Sequence, residues 1–224
     1  KGNTVQKLIQ NCISKVIRKK IKIVGSGRTD AGVHAISQSA HFDTVEKIEN
    51  TDKFIKSLNF FLNAKLISIL EIKKKNLKFK SRYSAKKRIY KYLILNRFSP
   101  PSINKDKMLH VRKKLDINIM KKGAKKLEGT HNFSTFRSSN CYSKSPIRTL
   151  AKISISKKNE KITIRFKSKS FLRNQVRSMV GCLLFLGLKK WSLKKFEIAF
   201  KKQKRKFCAP PVGPQGLYLE KVIY

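Results

Sequence analysis

The apolar positions along the chain fall into runs with readable periods. Val5, Leu8, Ile9, Cys12, Ile13, Val16 and Ile17 recur at helical spacing and put one apolar stripe on a helix, with Asn3 or Thr4 as its cap. Ile21 to Val24 is a short β-branched strand; strand-like alternation resumes from Val33 to Phe42, after the interruption Gly25-Ser26-Gly27-Arg28-Thr29-Asp30-Ala31-Gly32. Phe54, Ile55, Leu58, Phe61 and Leu62 predict a second helix, and Leu66 to Ile72 and Arg88 to Leu95 read as strands. Pro100-Pro101, inside Asn96 to Ser102, can continue neither a ladder nor a helix, so subdomains 1–99 and 100–224 are expected. Beyond it, Asp116 to Glu128 predicts a helix closed by Gly129, and Arg148 to Ser156 with Glu160 to Ser168 predicts a hairpin. Phe171 to Leu188 and Ser192 to Lys202 follow as helices, and Gly216 to Tyr224 as a last strand. Strands that pair mostly through hairpins, with helices on one side, predict an α+β fold of two mostly antiparallel subdomains rather than a doubly wound parallel one.

Charge changes the picture next. The 224 residues hold 54 Lys or Arg against 12 Asp or Glu, a formal charge of +42. At 40% hydrophobic residues and this length the chain can still bury a sizeable core, so the charge sits on a folded body and not on a disordered tail. Lys outnumbers Arg 42 to 12 amid many Ile and Asn, the usage of AT-rich coding, so part of the charge is compositional. The remainder points to a polyanion, because each Lys or Arg that neutralises a phosphate releases a counterion. Val176 to Leu188, the longest mostly apolar stretch, is too short to span a bilayer, and the first residues lack signal-peptide organisation; nucleic acid is expected over membrane. Cys12, Cys141, Cys182 and Cys208 are far apart and form no Cys-x-x-Cys pair, so neither zinc nor a disulfide framework is expected, and a reducing compartment is.

The glycine-rich interruption is not a nucleotide cradle. A dinucleotide fingerprint would need a third glycine where Thr29 and Asp30 stand, and Asp30 would repel a pyrophosphate. A phosphate-binding loop of the Gly-Lys-Ser/Thr type would not end in Gly32-Val33-His34. Two readings remain. Asp30 caps its own turn and Arg28 is solvated, or a rigid loop presents one carboxylate as nucleophile or base.

Gly27-Arg28-Thr29-Asp30-Ala31-Gly32-Val33-His34 resembles the signature of the tRNA pseudouridine synthase A family. Arg82-Tyr83-Ser84-Ala85 through Arg88-Ile89-Tyr90-Lys91-Tyr92 is similar to a second family block, and Gly129 to Arg137 (Gly-Thr-His-Asn-Phe-Ser-Thr-Phe-Arg) to a third. Phe171-Leu172 through Val176-Arg177-Ser178-Met179-Val180-Gly181, and Ala209-Pro210-Pro211 to Gly216-Leu217-Tyr218-Leu219, complete a resemblance spanning residues 3 to 222. It departs at Arg173 and Asn174, where the family often has Tyr or His followed by His, and at Gln175, which replaces Met. The family's opening strand also has no counterpart before Asn3, so either the chain is a piece of a longer protein or that strand is lost, leaving an exposed sheet edge.

The resemblance implies the pseudouridine synthase fold with a central cleft, and isomerisation of uridine to pseudouridine in the tRNA anticodon stem-loop without metal or other cofactor. It implies Asp30 as nucleophile or base, Arg177 as its cationic partner, and Tyr90 as the ring against the target base. Arg28 would hold the place of the flipped base and Leu217 would line the uracil pocket, in a cytoplasmic homodimer with tRNA as partner. Plainer readings stand beside these. Arg177 could be a helix-surface residue, although Arg173, Arg177 and Gly181 share a face apart from the apolar stripe; Tyr92 shares Tyr90's face; Leu217 could be core. The competing function is a non-catalytic RNA-binding protein or RNA chaperone on the same scaffold, and a weaker one is a hydrolase using Asp30 as base.

Overall fold

Thr4 Oγ1 accepts a hydrogen bond from Lys7 N at 3.2 Å and starts the first helix, α1 (Val5–Ile17). The computed structural model describes residues 4–224; Asn3, the other expected cap, lies outside them. In chain order there follow β1 (Ile23–Gly25), β2 (His34–Ala35), β3 (Ala40–Phe42), α2 (Thr51–Leu62), β4 (Lys87–Asn96), β5 (Leu109–Val111), α3 (Ile117–Lys125) and β6 (Gly129–Asn132). After them come β7 (Ile147–Lys158), β8 (Lys161–Ser168), α4 (Gln175–Gly187), α5 (Leu193–Lys201) and β9 (Leu217–Ile223). The mixture of helices with mostly antiparallel strands is the expected α+β class. The chain divides into two compact units: residues up to Arg28 with Ser39–Ala85, and Thr29–Gln38 with Lys86–Tyr224.

In the first unit, α1 and α2 bury Cys12, Ile13, Phe54, Leu58 and Leu62 with Ile21 and Ile23. Gln10 accepts from Ile23 N at 3.2 Å and Gln6 donates to Ile23 O at 2.9 Å, pinning β1 to α1 while β1 pairs antiparallel with β3. Residues 66–72 form no strand. Ile67, Ile69 and Ile72 do pack on the core, but the Asn59 amide takes both backbone groups of Ile69, donating to its O at 2.9 Å and accepting from its N at 2.7 Å. The apolar alternation was real there; a side chain supplies the bonds that a neighbouring strand would.

The expected strand over residues 33–42 is likewise two pieces. β2 joins the sheet of the second unit, β3 that of the first, and the chain passes from one unit to the other between them. The second unit's sheet runs β2-β9-β4-β8-β7-β6, with β5 beside β4; only β2/β9 and β4/β5 are parallel pairs. Alternate residues of β4 and β8, Tyr92, Ile94, Ile162, Ile164 and Phe166, are fully buried with Met120, Leu127, Met179, Val180 and Leu183 from the helical side. Asn96, expected to open a linker, ends β4 and is buried: it donates to Val111 O and Lys113 O at 2.9 and 2.8 Å and accepts from Leu115 N at 3.1 Å. The β7–β8 turn uses Asn159 at φ 52°, a left-handed position that Asn tolerates.

Candidate active site

The Asp30 loop is held to the sheet on one side and to itself on the other. β2 pairs with β9, placing His34 beside Tyr218 and Ala35 beside Leu219, and Ile36 N donates to Leu219 O at 2.9 Å. The His34 ring stacks on Tyr218 at 4.7 Å and its Nε2 donates to Asp106 O at 3.0 Å, which makes it part of the loop's scaffold. Val33 N closes the turn on Asp30 O at 3.2 Å. Gly32 sits at φ +77°, and a Cβ there would come within 2.9 Å of Pro214 Cγ, so the turn needs glycine on both counts.

Asp30 meets arginine from α4. Arg177 Nη1 stands 3.4 Å from Asp30 Oδ2, the two side chains being 17% and 30% exposed. The guanidinium is itself fixed: Nε donates to Val212 O at 2.7 Å, and Nη1 also reaches Asn174 Oδ1 at 3.4 Å. Arg177 is therefore a paired residue and not a solvated one.

The helix carrying Arg177 begins later than the apolar run suggested. Asn174 adopts φ 62°, a left-handed residue that stops the helix extending back to Phe171, and Gln175 Oε1 accepts from Leu172 N at 2.8 Å. Arg173 thus lies on the preceding turn and not on a helical face with Arg177. Even so, its Nε is 3.9 Å from Asp30 Oδ1.

Gly181, on the face shared with Arg177, lets the chain at 209–212 lie directly against α4. A Cβ at Gly181 would be driven into the Pro210 carbonyl, whose neighbour Val212 donates through its N to Arg177 O at 3.3 Å. Gly181→Ala is therefore expected to cost about 1–3 kcal/mol of stability by overpacking and to loosen the Val212 carbonyl from Arg177. Urea unfolding reads the first and turnover the second; a variant as stable and as active as the parent would contradict the close approach.

Tyrosines 90 and 92, equivalent in the sequence, separate here. Tyr92 is fully buried and its hydroxyl donates to Gly213 O at 2.7 Å, which commits it to the core; burial pushes its phenol far up, against the opposing Arg177. Tyr90 lies at the end of the same row, edge-on to Phe171 at 5.3 Å. Burial pushes its phenol up, Arg88 opposes this, and the Asp30 carboxylate adds to it, so Tyr90 keeps its proton and lies within electrostatic reach of Asp30. Leu217 opens β9 opposite Tyr92 and is 6% exposed, inside the main core. Arg28 is exposed and is the last residue of the first unit before the chain enters the second.

Asp30 on the loop before β2 and Arg177 on α4 are thus paired, Tyr90 on β4 feels the Asp30 charge, and Arg173 and the Val212 carbonyl join them from the turn before α4 and the 209–212 segment. Arg173 stands four residues before Arg177, but it reaches Asp30 from the turn ahead of α4 and not from a helical face; the sequence signal for the Val212 carbonyl is a small residue, Gly181, facing the Pro210-Pro211 stretch. An open groove of about 610 Å³ lies elsewhere in this unit, lined by Lys113, Lys114, Lys157 and Lys189 among others, and contains none of the site residues. Among the described residues no three His, Cys, Asp or Glu gather to hold a metal, and no helix is long and apolar enough to cross a membrane. The arrangement offers one carboxylate, one phenol and two guanidinium groups, a set suited to nucleophilic or base chemistry beside an anionic polymer.

A family model described as tRNA pseudouridine synthase matches residues 1–84 and 124–224. The chain is 58% identical over 224 residues to tRNA pseudouridine synthase A of Pelagibacter ubique (strain HTCC1062), covering 100% of this chain and 91% of that protein. It is 40% identical over 226 residues to the protein of the same name from Bartonella tribocorum (strain CIP 105476 / IBS 506), at 100% and 91% coverage. Against that of Ehrlichia chaffeensis (strain ATCC CRL-10679 / Arkansas) it is 37% identical over 225 residues, again at 100% and 91%.

Proposed function

This chain belongs to the tRNA pseudouridine synthase family and is an isomerase, and from that premise we propose that it isomerises uridines of the tRNA anticodon stem-loop with Asp30 as the reacting carboxylate. The observation that carries the reading is the Asp30–Arg177 pair at 3.4 Å, a carboxylate on a glycine-shaped loop facing a guanidinium fixed by the Val212 carbonyl.

The reaction breaks the bond from uracil N1 to ribose C1′ and makes one from C5 to C1′. The C5 proton passes to water and N1 gains a proton, so the product is an isomer and nothing is oxidised. Asp30 supplies an ionised oxygen as nucleophile or base, and Arg177 holds it in one orientation. Tyr90, kept protonated, lies against the base and offers a hydroxyl for proton transfer; Leu217 gives the pocket an apolar wall. Extracting a stacked base costs a few kcal/mol, and Arg28 fills or braces the gap. The surplus of cations draws the phosphate backbone in, and a homodimer holds one tRNA across two subunits. Four free thiols, Cys12, Cys141, Cys182 and Cys208, fit a reducing cytoplasm.

The site of modification is tested by incubating unmodified tRNA with the protein and mapping pseudouridine chemically along the product. Pseudouridine confined to the anticodon stem-loop is expected. Product only in other arms would overturn the assignment of the target, and no product with tRNA still bound would favour a non-catalytic RNA-binding protein.

A further inference from the structure

We propose that Arg173 is a positioning residue for this reaction, a second guanidinium that fixes Asp30 Oδ1 while Arg177 fixes Oδ2, and that it ties the carboxylate to the 138–143 loop. The inference rests on the reading of Asp30 as the reacting group. A carboxylate paired through one oxygen can still turn about its last bond; a second cation beside the other oxygen biases that rotation electrostatically toward the orientation in which each oxygen faces an arginine. The two pairs are unequal in the way such a division requires. Arg177 is 17% exposed and stands 3.4 Å away, whereas Arg173 is 51% exposed and stands 3.9 Å away, so Arg177 supplies most of the charge compensation and Arg173 mainly alignment.

Arg173 is equipped for this because its own position is set by the loop. Its Nη1 donates to Asn140 O at 3.2 Å, and its backbone O accepts from Ser138 N at 3.2 Å. The loop is braced in turn by Arg137, whose Nη2 donates to Cys141 O and Ser143 O at 2.6 and 2.7 Å, and by Arg148, whose Nη2 donates to Ser143 Oγ at 2.6 Å. The Cys141 thiol reports the same closeness: burial raises it, but backbone bonds from Arg173 and Ser143 and the Arg137 cation pull it below its ordinary value. The forked guanidinium lets Arg173 face Asp30 through Nε and Asn140 through Nη1 together. An ammonium at this place keeps the charge but holds only one partner.

The test uses the full chain and tRNA carrying 5-tritiated uridine, with tritium release followed in single turnover at saturating protein. Arg173→Gln is expected to lower the limiting rate about tenfold with the tRNA Kd changed less than about threefold, and Arg173→Lys to regain at least about threefold of that rate. A rate equal to wild type in R173Q, a loss confined to Kd, or R173K no faster than R173Q would each overturn the inference. Circular dichroism and melting temperature show that the variants are folded. Asp30→Asn is run alongside: if D30N still turns over, the reading of Asp30 fails, whereas D30N inactive with R173Q at the wild-type rate removes only the role given to Arg173.

Discussion

Arg177→Gln is expected to lower kcat for pseudouridine formation by about 10²-fold or more, an effect near 2.7 kcal/mol on the barrier, with the protein still folded. The side chain does two things at once. Nη1 faces Asp30 Oδ2 at 3.4 Å, and Nε holds Val212 O at 2.7 Å, joining the carboxylate to the 209–212 segment. Glutamine removes the charge and breaks this bridge, so a partly buried carboxylate is left facing a dipole. The stability loss should be smaller, about 1–2 kcal/mol, because Asp30 remains 30% exposed and water can solvate it. Arg177→Lys should recover only part of the rate, since an ammonium cannot reach the carboxylate and the Val212 carbonyl in the fixed geometry of a guanidinium. Single-turnover kinetics and urea unfolding check both halves. A wild-type kcat in R177Q would remove Arg177 from the reacting group's surroundings.

The parts of this fold that could be read from the chain are those in which local pattern and tertiary use agree. The stripe from Val5 to Ile17 predicts α1 residue for residue, and the hairpin expected over Arg148 to Ser156 and Glu160 to Ser168 is β7 paired with β8. Residues 66–72 mislead for a stated reason: the pattern reports burial of Ile67, Ile69 and Ile72, and Asn59 supplies the hydrogen bonds. The start of α4 misleads because Phe171 and Leu172 prolong the apolar run while Asn174 turns left-handed beneath it. At the site, Asp30 and Arg177 lie 147 positions apart, a separation no period can bridge; only the resemblance of two distant motifs joins them. The choice between Tyr90 and Tyr92 is likewise tertiary, since a carbonyl from Gly213 captures the Tyr92 hydroxyl, while the Tyr90 phenol feels the Asp30 charge.

Asp30→Asn carries the largest expected effect. Asparagine keeps the shape of the side chain, but only one of its two terminal atoms is an oxygen that can accept from an arginine, and it serves neither as nucleophile nor as base. A fall in rate of about 10³-fold or more is therefore expected, with tRNA affinity within a few-fold of wild type, because the phosphate contacts that dominate binding are untouched. The measurement that bears most directly on the whole account is tritium release from tRNA carrying 5-tritiated uridine, by wild type and D30N side by side, with tRNA binding measured on both. Release by the wild type, none above background by D30N, and equal binding is the predicted result. Equal release by the two proteins, or none from either while both bind tRNA, would contradict it.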